Sequence, residues 1–179
     1  EWVRCAGDAA KLATKVKADE EGRIVEVDLG GCKMKELPAS VGKLKALQKL
    51  ILLGCSGLTS LPPELGGLQA LTELKLTDCK GLTSLPPELG GLQALTSLDL
   101  DNCLGLTSLP DLSGLKKLEE LNLAHCKGLT SLPAEVGNCV KLELLWLGHC
   151  SGLPSPPDLS RLQTPHVAHP PHAITPRED

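Results

Sequence analysis

The 179-residue chain contains no phenylalanine, no tyrosine, two tryptophans and one methionine. A globular core is ordinarily filled with aromatic rings, so this chain must close its interior another way. No apolar run reaches the length of about 18 residues that a membrane-spanning helix needs, so none is expected. There is no large excess of one charge: 22 acids stand against 18 bases, a formal net of −4. With a pI near 5.7 no basic face is expected, which sets nucleic acid aside as a partner. No CxxC, HExxH, GxGxxG or GxxxxGKS/T pattern occurs, so signatures of redox, metalloprotease, dinucleotide and P-loop chemistry are missing. The first residue is Glu1 rather than Met and no leader segment is visible, which reads as a processed or trimmed product.

What is abundant is leucine, 39 of 179 residues, and it is periodic. Cys32, Cys55, Cys79, Cys103, Cys126 and Cys150 are separated by 23, 24, 24, 23 and 24 residues. Leu71, Leu74, Leu76 and Cys79 recur as Leu95, Leu98, Leu100 and Cys103, then as Leu118, Leu121, Leu123 and Cys126. The stretch GLTSLPPELGGLQALT stands unchanged at Gly57–Thr72 and Gly81–Thr96. Such self-similarity at a fixed period marks a stacked repeat architecture.

The unit reads L-x-x-L-x-L-x-x-C-x-x-L-x-x-L-P-x-x-L-G-x-L-x-x, and the extra residue of the longer copies is placed after the Cys. It resembles the leucine-rich repeat family. The Cys, where many relatives have Asn, and the following Leu-Pro are similar to the plant-type and Ras-group intracellular repeats. The likeness covers about residues 23–162. It implies an α/β solenoid (horseshoe) of six repeats of 23–24 residues with a parallel concave sheet, a protein-binding scaffold without catalysis, and roles such as signalling or immune-type recognition.

Elementary geometry leads to the same fold class. L-x-L alternation has the strand period of two, so Leu74 and Leu76 point inward while Glu73, Lys75 and Thr77 point outward. The periodic cysteines fall at the turn after each strand, stacked about 4.8 Å apart. A thiol is apolar enough for that position and can make a weak hydrogen bond to a turn carbonyl. Leu-Pro leaves the strand, since proline offers no backbone donor. Pro62–Leu68 then fits a short helical turn on the convex side, with prolines at its start and glycines at its end. No single repeat could bury its leucines alone; stacking does so.

Three regions are expected. Residues 1–22 form an N-terminal helical cap, with Trp2, Cys5, Ala9, Leu12, Ala13 and Val16 at helical spacing. Residues 23–162 are the repeats, beginning at Ile24, Leu47, Leu71, Leu95, Leu118 and Leu142, the sixth decaying at Pro154. Residues 163–179 are a Pro/His-rich extended or disordered tail. No amphipathic C-terminal cap follows, so the tail is expected to drape over the last repeat, or the chain to have been cut from something longer. The thiols of the ladder should be buried, reduced and inert. Cys5 and Cys139 lie off it, as cap-packing and convex-side residues. The extracellular relatives implied by the resemblance carry a disulfide-paired N-cap and Asn at the Cys position. Their absence, and that of any N-x-S/T sequon, favours a reducing, intracellular (cytoplasmic) compartment.

Few residues are candidates for chemistry. Ser40–Lys43 matches S-x-x-K by accident of a convex segment. Asp99 and Asp101 share a strand face, but no histidine, metal-ligand cluster or phosphate loop accompanies them. His125 and His149 hold the same repeat position and should lie side by side, too few for a metal centre. His166, His169 and His172 are spaced by three, the polyproline II period, and would align on one edge. Catalytic residues, metal ligands and cofactors are therefore set at none.

The binding surface is expected on the concave strand face. Its outward columns are Glu26, Lys49, Glu73, Ser97, Glu120, Leu144; then Asp28, Ile51, Lys75, Asp99, Asn122, Trp146; then Gly30, Leu53, Thr77, Asp101, Ala124, Gly148. They hold six acids and two bases, a net of −4, leaving 16 acids and 16 bases elsewhere to cancel. A field of this kind speeds encounter with a basic partner. Two apolar spots, Ile51 with Leu53 and Leu144 with Trp146, lie at opposite ends. The expected partner-binding set is Lys49, Ile51, Leu53, Glu73, Lys75, Asp99, Asp101, Glu120, Asn122, Leu144 and Trp146. Its occupant would be a basic or mixed protein or peptide, not nucleic acid or membrane, bound by a monomer that could associate end to end. The alternative is a structural, consensus-like array with no specific ligand, to which the near-identity of the second and third repeats points.

Overall fold

The computed structural model describes residues 16–153 and the strand at 166–167. Among these residues one sheet runs in strict chain order: β1 (Val16–Ala18), β2 (Ile24–Asp28), β3 (Lys49–Ile51), β4 (Glu73–Lys75), β5 (Ser97–Asp99), β6 (Glu120–Asn122), β7 (Leu144–Trp146) and β8 (His166–Val167). Strands β2 to β8 are parallel and β1 lies antiparallel along β2. Every parallel step from β2 to β7 pairs identical repeat positions, as in Leu50↔Leu74↔Leu98↔Leu121↔Leu145. One such step costs a whole repeat of chain, which is why the sequence period equals the strand-to-strand interval.

The core is a column structure. Leu50, Leu74, Leu98, Leu121 and Leu145 are fully buried, as are Leu52, Leu76, Leu100 and Leu123 two residues on. Leucines from the turn and the convex segment, such as Leu58, Leu82, Leu106 and Leu65, Leu89, Leu112, close the other sides. No side chain wider than leucine is needed, because the interior is only one repeat across; this accounts for the missing aromatic rings. Burying one leucine stabilises by roughly 1.5–3 kcal/mol, and each repeat contributes several.

On the convex side the expected short helical turns are 3-10 helices at Ala39–Lys43, Pro63–Gly67, Pro87–Gly91 and Ala134–Asn138. Pro62 precedes one in extended backbone, Pro63 opens it, and Leu65 plugs into the core. Five residues with i→i+3 bonds are about as long as this helix type runs. The fourth repeat has no such helix: Pro110-Asp111-Leu112 replaces Pro-Pro-Glu-Leu, and Asp111 Oδ1 accepts the Ser113 N–H at 2.7 Å instead. The length difference falls after the Cys, as expected, in the first repeat, where Met34 follows Cys32 by two residues and Leu58 follows Cys55 by three, but not in the fourth. The 23-residue fourth repeat loses its residue in the convex segment, where no sheet register constrains the count.

The turn beside each strand packs backbone on backbone. A Cβ on Gly81 would stand 2.6 Å from the Ser56 carbonyl oxygen, and one on Gly128 2.5 Å from that of Leu104. Glycine is required there by contact between repeats. Thr83 then donates its hydroxyl to Thr59 O (3.4 Å), and Thr130 to Thr107 O (3.2 Å), tying the next segments together.

Two expectations at the ends need correction or lie out of reach. Val16, counted on the face of the cap helix, stands instead in β1, paired with Val27. The antiparallel strand covers the sheet edge that a cap must cover. Residues 1–15 of the expected cap, including Trp2 and Cys5, lie outside the described residues, as do most of the tail and His169 and His172. Within the tail region His166 and Val167 add a further parallel strand beside Leu144 and Leu145, so the sheet runs on past the point where the repeat pattern fades.

Candidate functional site

The strand register puts the outward columns side by side as the sequence spacing requires. Glu26, Lys49, Glu73, Ser97, Glu120 and Leu144 pair in succession, and so do Asp28, Ile51, Lys75, Asp99, Asn122 and Trp146. Neighbours within a column are therefore about 4.8 Å apart along the sheet. The third column is fixed by the turn: the backbone N–H groups of Gly30, Asp101 and Ala124 bond back to the side-chain oxygens of Asp28, Asp99 and Asn122 at 2.7–3.0 Å. Those side chains thus face outward in a set orientation.

Charge is distributed unevenly along this face. On β2 to β4 the two glutamates meet lysines. Lys17 reaches Glu26 at 3.0 Å from β1. Glu73 is bridged on both oxygens, by Lys49 at 2.7 Å and Lys75 at 2.8 Å. Partial burial works against ionisation of Glu73, but the lysine hydrogen bonds and charges outweigh it and hold the carboxyl below its usual range. Lys75 is raised by its bond to Glu73, with Asp99 and Glu120 adding at longer range.

On β5 to β7 the acids are held by neutral or weakly basic donors. Asp99 accepts the Thr77 hydroxyl at 2.9 Å and the Asp101 N–H at 3.0 Å. Glu120 accepts the Ser97 hydroxyl at 3.2 Å. Asp101 lies 2.9 Å from His125 Nδ1, which corrects the expectation that no histidine accompanies Asp99 and Asp101: the left-handed turn before Cys126 brings the ring to the neighbouring strand's carboxylate. Among the described residues no lysine or arginine stands within ion-pair distance of Asp99, Asp101 or Glu120. Half-buried Leu144 and Trp146 adjoin them, whereas at the other end Leu53 is 47% exposed.

A feature missed by sequence reasoning lies just past each strand. The residue before each ladder Cys from Gly31 to His149 has positive φ: Gly31, Gly54, Asp78 (62°), Asn102 (58°), His125 (58°) and His149 (61°). Asn102 Nδ2 donates to Asp78 Oδ1 at 2.6 Å, and the rings of His125 and His149 stack with centroids 4.8 Å apart. The signal was present: all six are Gly, Asp, Asn or His, the residue types that best tolerate the left-handed region. The adjacency of the two histidines is as the spacing predicts. With Asp101 they do not make a metal centre, and no group of three or more His, Cys, Asp or Glu placed to hold a metal exists among the described residues.

Beneath the face runs the thiol ladder. Cys55, Cys79, Cys103 and Cys126 are fully buried, while Cys32 and Cys150 at its ends are half-buried, a correction to the expectation that all six are enclosed. From Cys55 to Cys150 each ladder thiol donates to a carbonyl of the preceding repeat, for example Cys79 Sγ to Leu52 O and Cys103 Sγ to Leu76 O, both 3.2 Å. The same oxygens accept the N–H of Cys55 and Cys79, so both lone pairs are used. Burial pushes the thiols of Cys79 and Cys126 up to about 12 and that of Cys103 further. Cys139 caps the last 3-10 helix, is itself buried, and is pushed up to about 11.

Comparison with known proteins decides the architecture. Residues 93–134 match the family model for leucine-rich repeats in two copies. A leucine-rich-repeat protein of Leptospira interrogans superposes with a TM-score of 0.55 at 31% identity, over 78% of this chain and 42% of that one. The chain carries a leucine-rich-repeat solenoid. The leucine-rich-repeat domain of the type III effector XopL is similar at 27% identity and a TM-score of 0.54, over 78% of this chain and 58% of its own. The BIR3–SERK2 complex of Arabidopsis thaliana gives 28% identity and a TM-score of 0.51, over 69% of each chain. The solenoid thus spans about half the length of the first two relatives. No curated protein matches the sequence. Among the described residues no helix is long and apolar enough to cross a membrane.

Proposed function

We propose that this solenoid is a non-catalytic interaction scaffold that takes a protein or peptide on its strand face. One observation carries the reading. The inward columns repeat leucine at every step, whereas the outward columns change residue at nearly every step, on a face whose register is fixed. A rigid framework with a varied surface is what recognition by a solenoid needs. Partner contacts are drawn from within the strand-face set Lys49, Ile51, Leu53, Glu73, Lys75, Asp99, Asp101, Glu120, Asn122, Leu144 and Trp146, not every member of which need touch the partner, and the net acidity of the face selects a basic or mixed partner. The similar Arabidopsis protein was solved in a complex, which supports a protein partner. The thiols of Cys55, Cys79, Cys103, Cys126, Cys139 and Cys150, held as hydrogen-bond donors to backbone carbonyls, support a reducing, intracellular setting with a role in signalling or immune-type recognition.

A second reading, a structural array with no ligand, is favoured by the 16 identical residues of Gly57–Thr72 and Gly81–Thr96. The two are separated by capture from source lysate at low and moderate salt. The baits are the wild type and an Asp99→Lys, Asp101→Lys, Trp146→Ala variant of equal thermal stability. A protein retained by the first and lost by the second establishes the scaffold reading. Identical retention by both, or none by either, favours the array.

A further inference from the structure

The strand face is divided by the way its carboxylates are held. On β2 to β4 the charges close on one another: Lys17 on Glu26, and Lys49 and Lys75 on Glu73. A partner docking there must break ion pairs already made. On β5 and β6 Asp99 and Glu120 are oriented by hydroxyl and amide donors that leave their charge standing. Oriented charge that need not be released from a competitor is preorganised for a cation. One strand on, Asn122 pairs with Trp146 and Glu120 with Leu144. Trp146 makes no hydrogen bond through its indole N–H among the described residues, and with Leu144 it offers a half-buried apolar shelf. Charge and shelf are therefore neighbours in the same two columns, about 5–10 Å apart by strand spacing.

Resting on the scaffold reading, we propose that the β5–β7 half alone forms the docking surface. Its occupant is an extended peptide segment, lying across the strands, that sets a Lys or Arg over Asp99 and Glu120 and a large apolar side chain on Trp146 and Leu144. Spacing supports this class of ligand: an extended segment repeats every second side chain at about 6.6–6.8 Å, which bridges from the carboxylates to the shelf. Charge complementarity fixes the sign of the cationic residue, and the self-neutralised half sets the boundary of the footprint.

The test uses a fluorescein-labelled synthetic peptide of repeating Lys-Ser-Leu-Ser, with Glu-Ser-Leu-Ser and Lys-Ser-Ser-Ser peptides as controls, read by anisotropy at several salt concentrations. Two double variants are compared with the wild type after their thermal unfolding is matched. Asp99→Asn with Glu120→Gln removes charge from the proposed half and keeps the shapes. Lys49→Met with Glu73→Gln removes one charge of each sign from the other half. The expected result is binding of the Lys-Ser-Leu-Ser probe alone, weakened about tenfold or more with a flatter salt dependence by the first variant, and changed less than about twofold by the second. Trp146→Ala is expected to weaken it by about tenfold or more. Equal or greater loss in the Lys49→Met, Glu73→Gln variant would overturn the proposed boundary while leaving the strand-face reading intact. If the probe does not bind, or binds all variants alike, the proposal fails; the scaffold reading is then judged separately by the lysate comparison.

Discussion

The β2–β4 and β5–β7 halves of one sheet have the same scaffold and opposite electrostatic character. Beneath both run the same leucines, the same thiol-to-carbonyl bonds and the same register. Above, the first half binds its own charges together and the second leaves them standing. In a solenoid the inner and outer sides of a strand are separate decisions, because alternate residues face opposite ways. Two lysines, at positions 49 and 75, are enough to change one half without disturbing anything under it.

That comparison can be broken or sharpened in four ways. The largest effect concerns the ladder. With their thiols pushed up to about 12, native Cys79 and Cys126 should react with a thiol reagent near pH 8 on the order of a thousandfold more slowly than after denaturation. Both halves should be protected alike, so rapid native labelling of either residue in a mass-resolved time course would show that the scaffold is not uniform. Next, Leu74→Ala, Leu98→Ala and Leu121→Ala, all at fully buried positions, should each cost about 2–5 kcal/mol in denaturant unfolding. Losses below about 1 kcal/mol would mean that the repeat phase is wrong.

Gly105→Ala should cost about 1–3 kcal/mol, since its Cβ would lie 2.9 Å from Lys80 O and 3.0 Å from Leu82 O. An unchanged melting temperature would show that the turns are not stacked as described. The smallest effect is the ion pairing of Glu73. Its carboxyl is lowered in the folded chain, so its contribution to stability is fully present above the ordinary carboxyl range. It is lost as pH falls through the lowered value. Because Glu73 is only partly buried and its lysine partners are reached by solvent, which screens the pairs, the contribution is under about 1 kcal/mol. Glu73→Gln should flatten the acid limb of the stability curve slightly and leave the neutral region nearly unchanged. A steeper acid limb in the variant would reverse the assigned sign.

The fold was legible because in a repeat protein the period is the structure. Leu74, Leu98 and Leu121 occupy one column in the sequence and in the sheet, and the six cysteines mark the turns they were assigned to. Column membership on the outer face was equally legible, since strand alternation and a fixed register determine it. What could not be read is how side chains of one column answer each other: whether Lys49 turns to Glu26 or Glu73 depends on rotamers and distance, which spacing does not contain. Counting net charge per face therefore treated Glu73 and Glu120 alike, although one is bridged by two lysines and the other by none. Val16 was misplaced for a different reason. Its neighbours have helical spacing, but an open sheet edge with unpaired backbone groups recruits a strand more readily than local periodicity suggests. The left-handed residues Asp78 and Asn102 were overlooked because they change identity from copy to copy while keeping one conformation.

The most direct test of the divided face is an amide NMR titration of the full chain with the Lys-Ser-Leu-Ser peptide. The account predicts shift changes gathered on Ser97–Asp101, Glu120–Ala124 and Leu144–Trp146, with Lys49–Ile51 and the convex turns unmoved. Shifts centred on β3 and β4, or on the 3-10 helices, would contradict it.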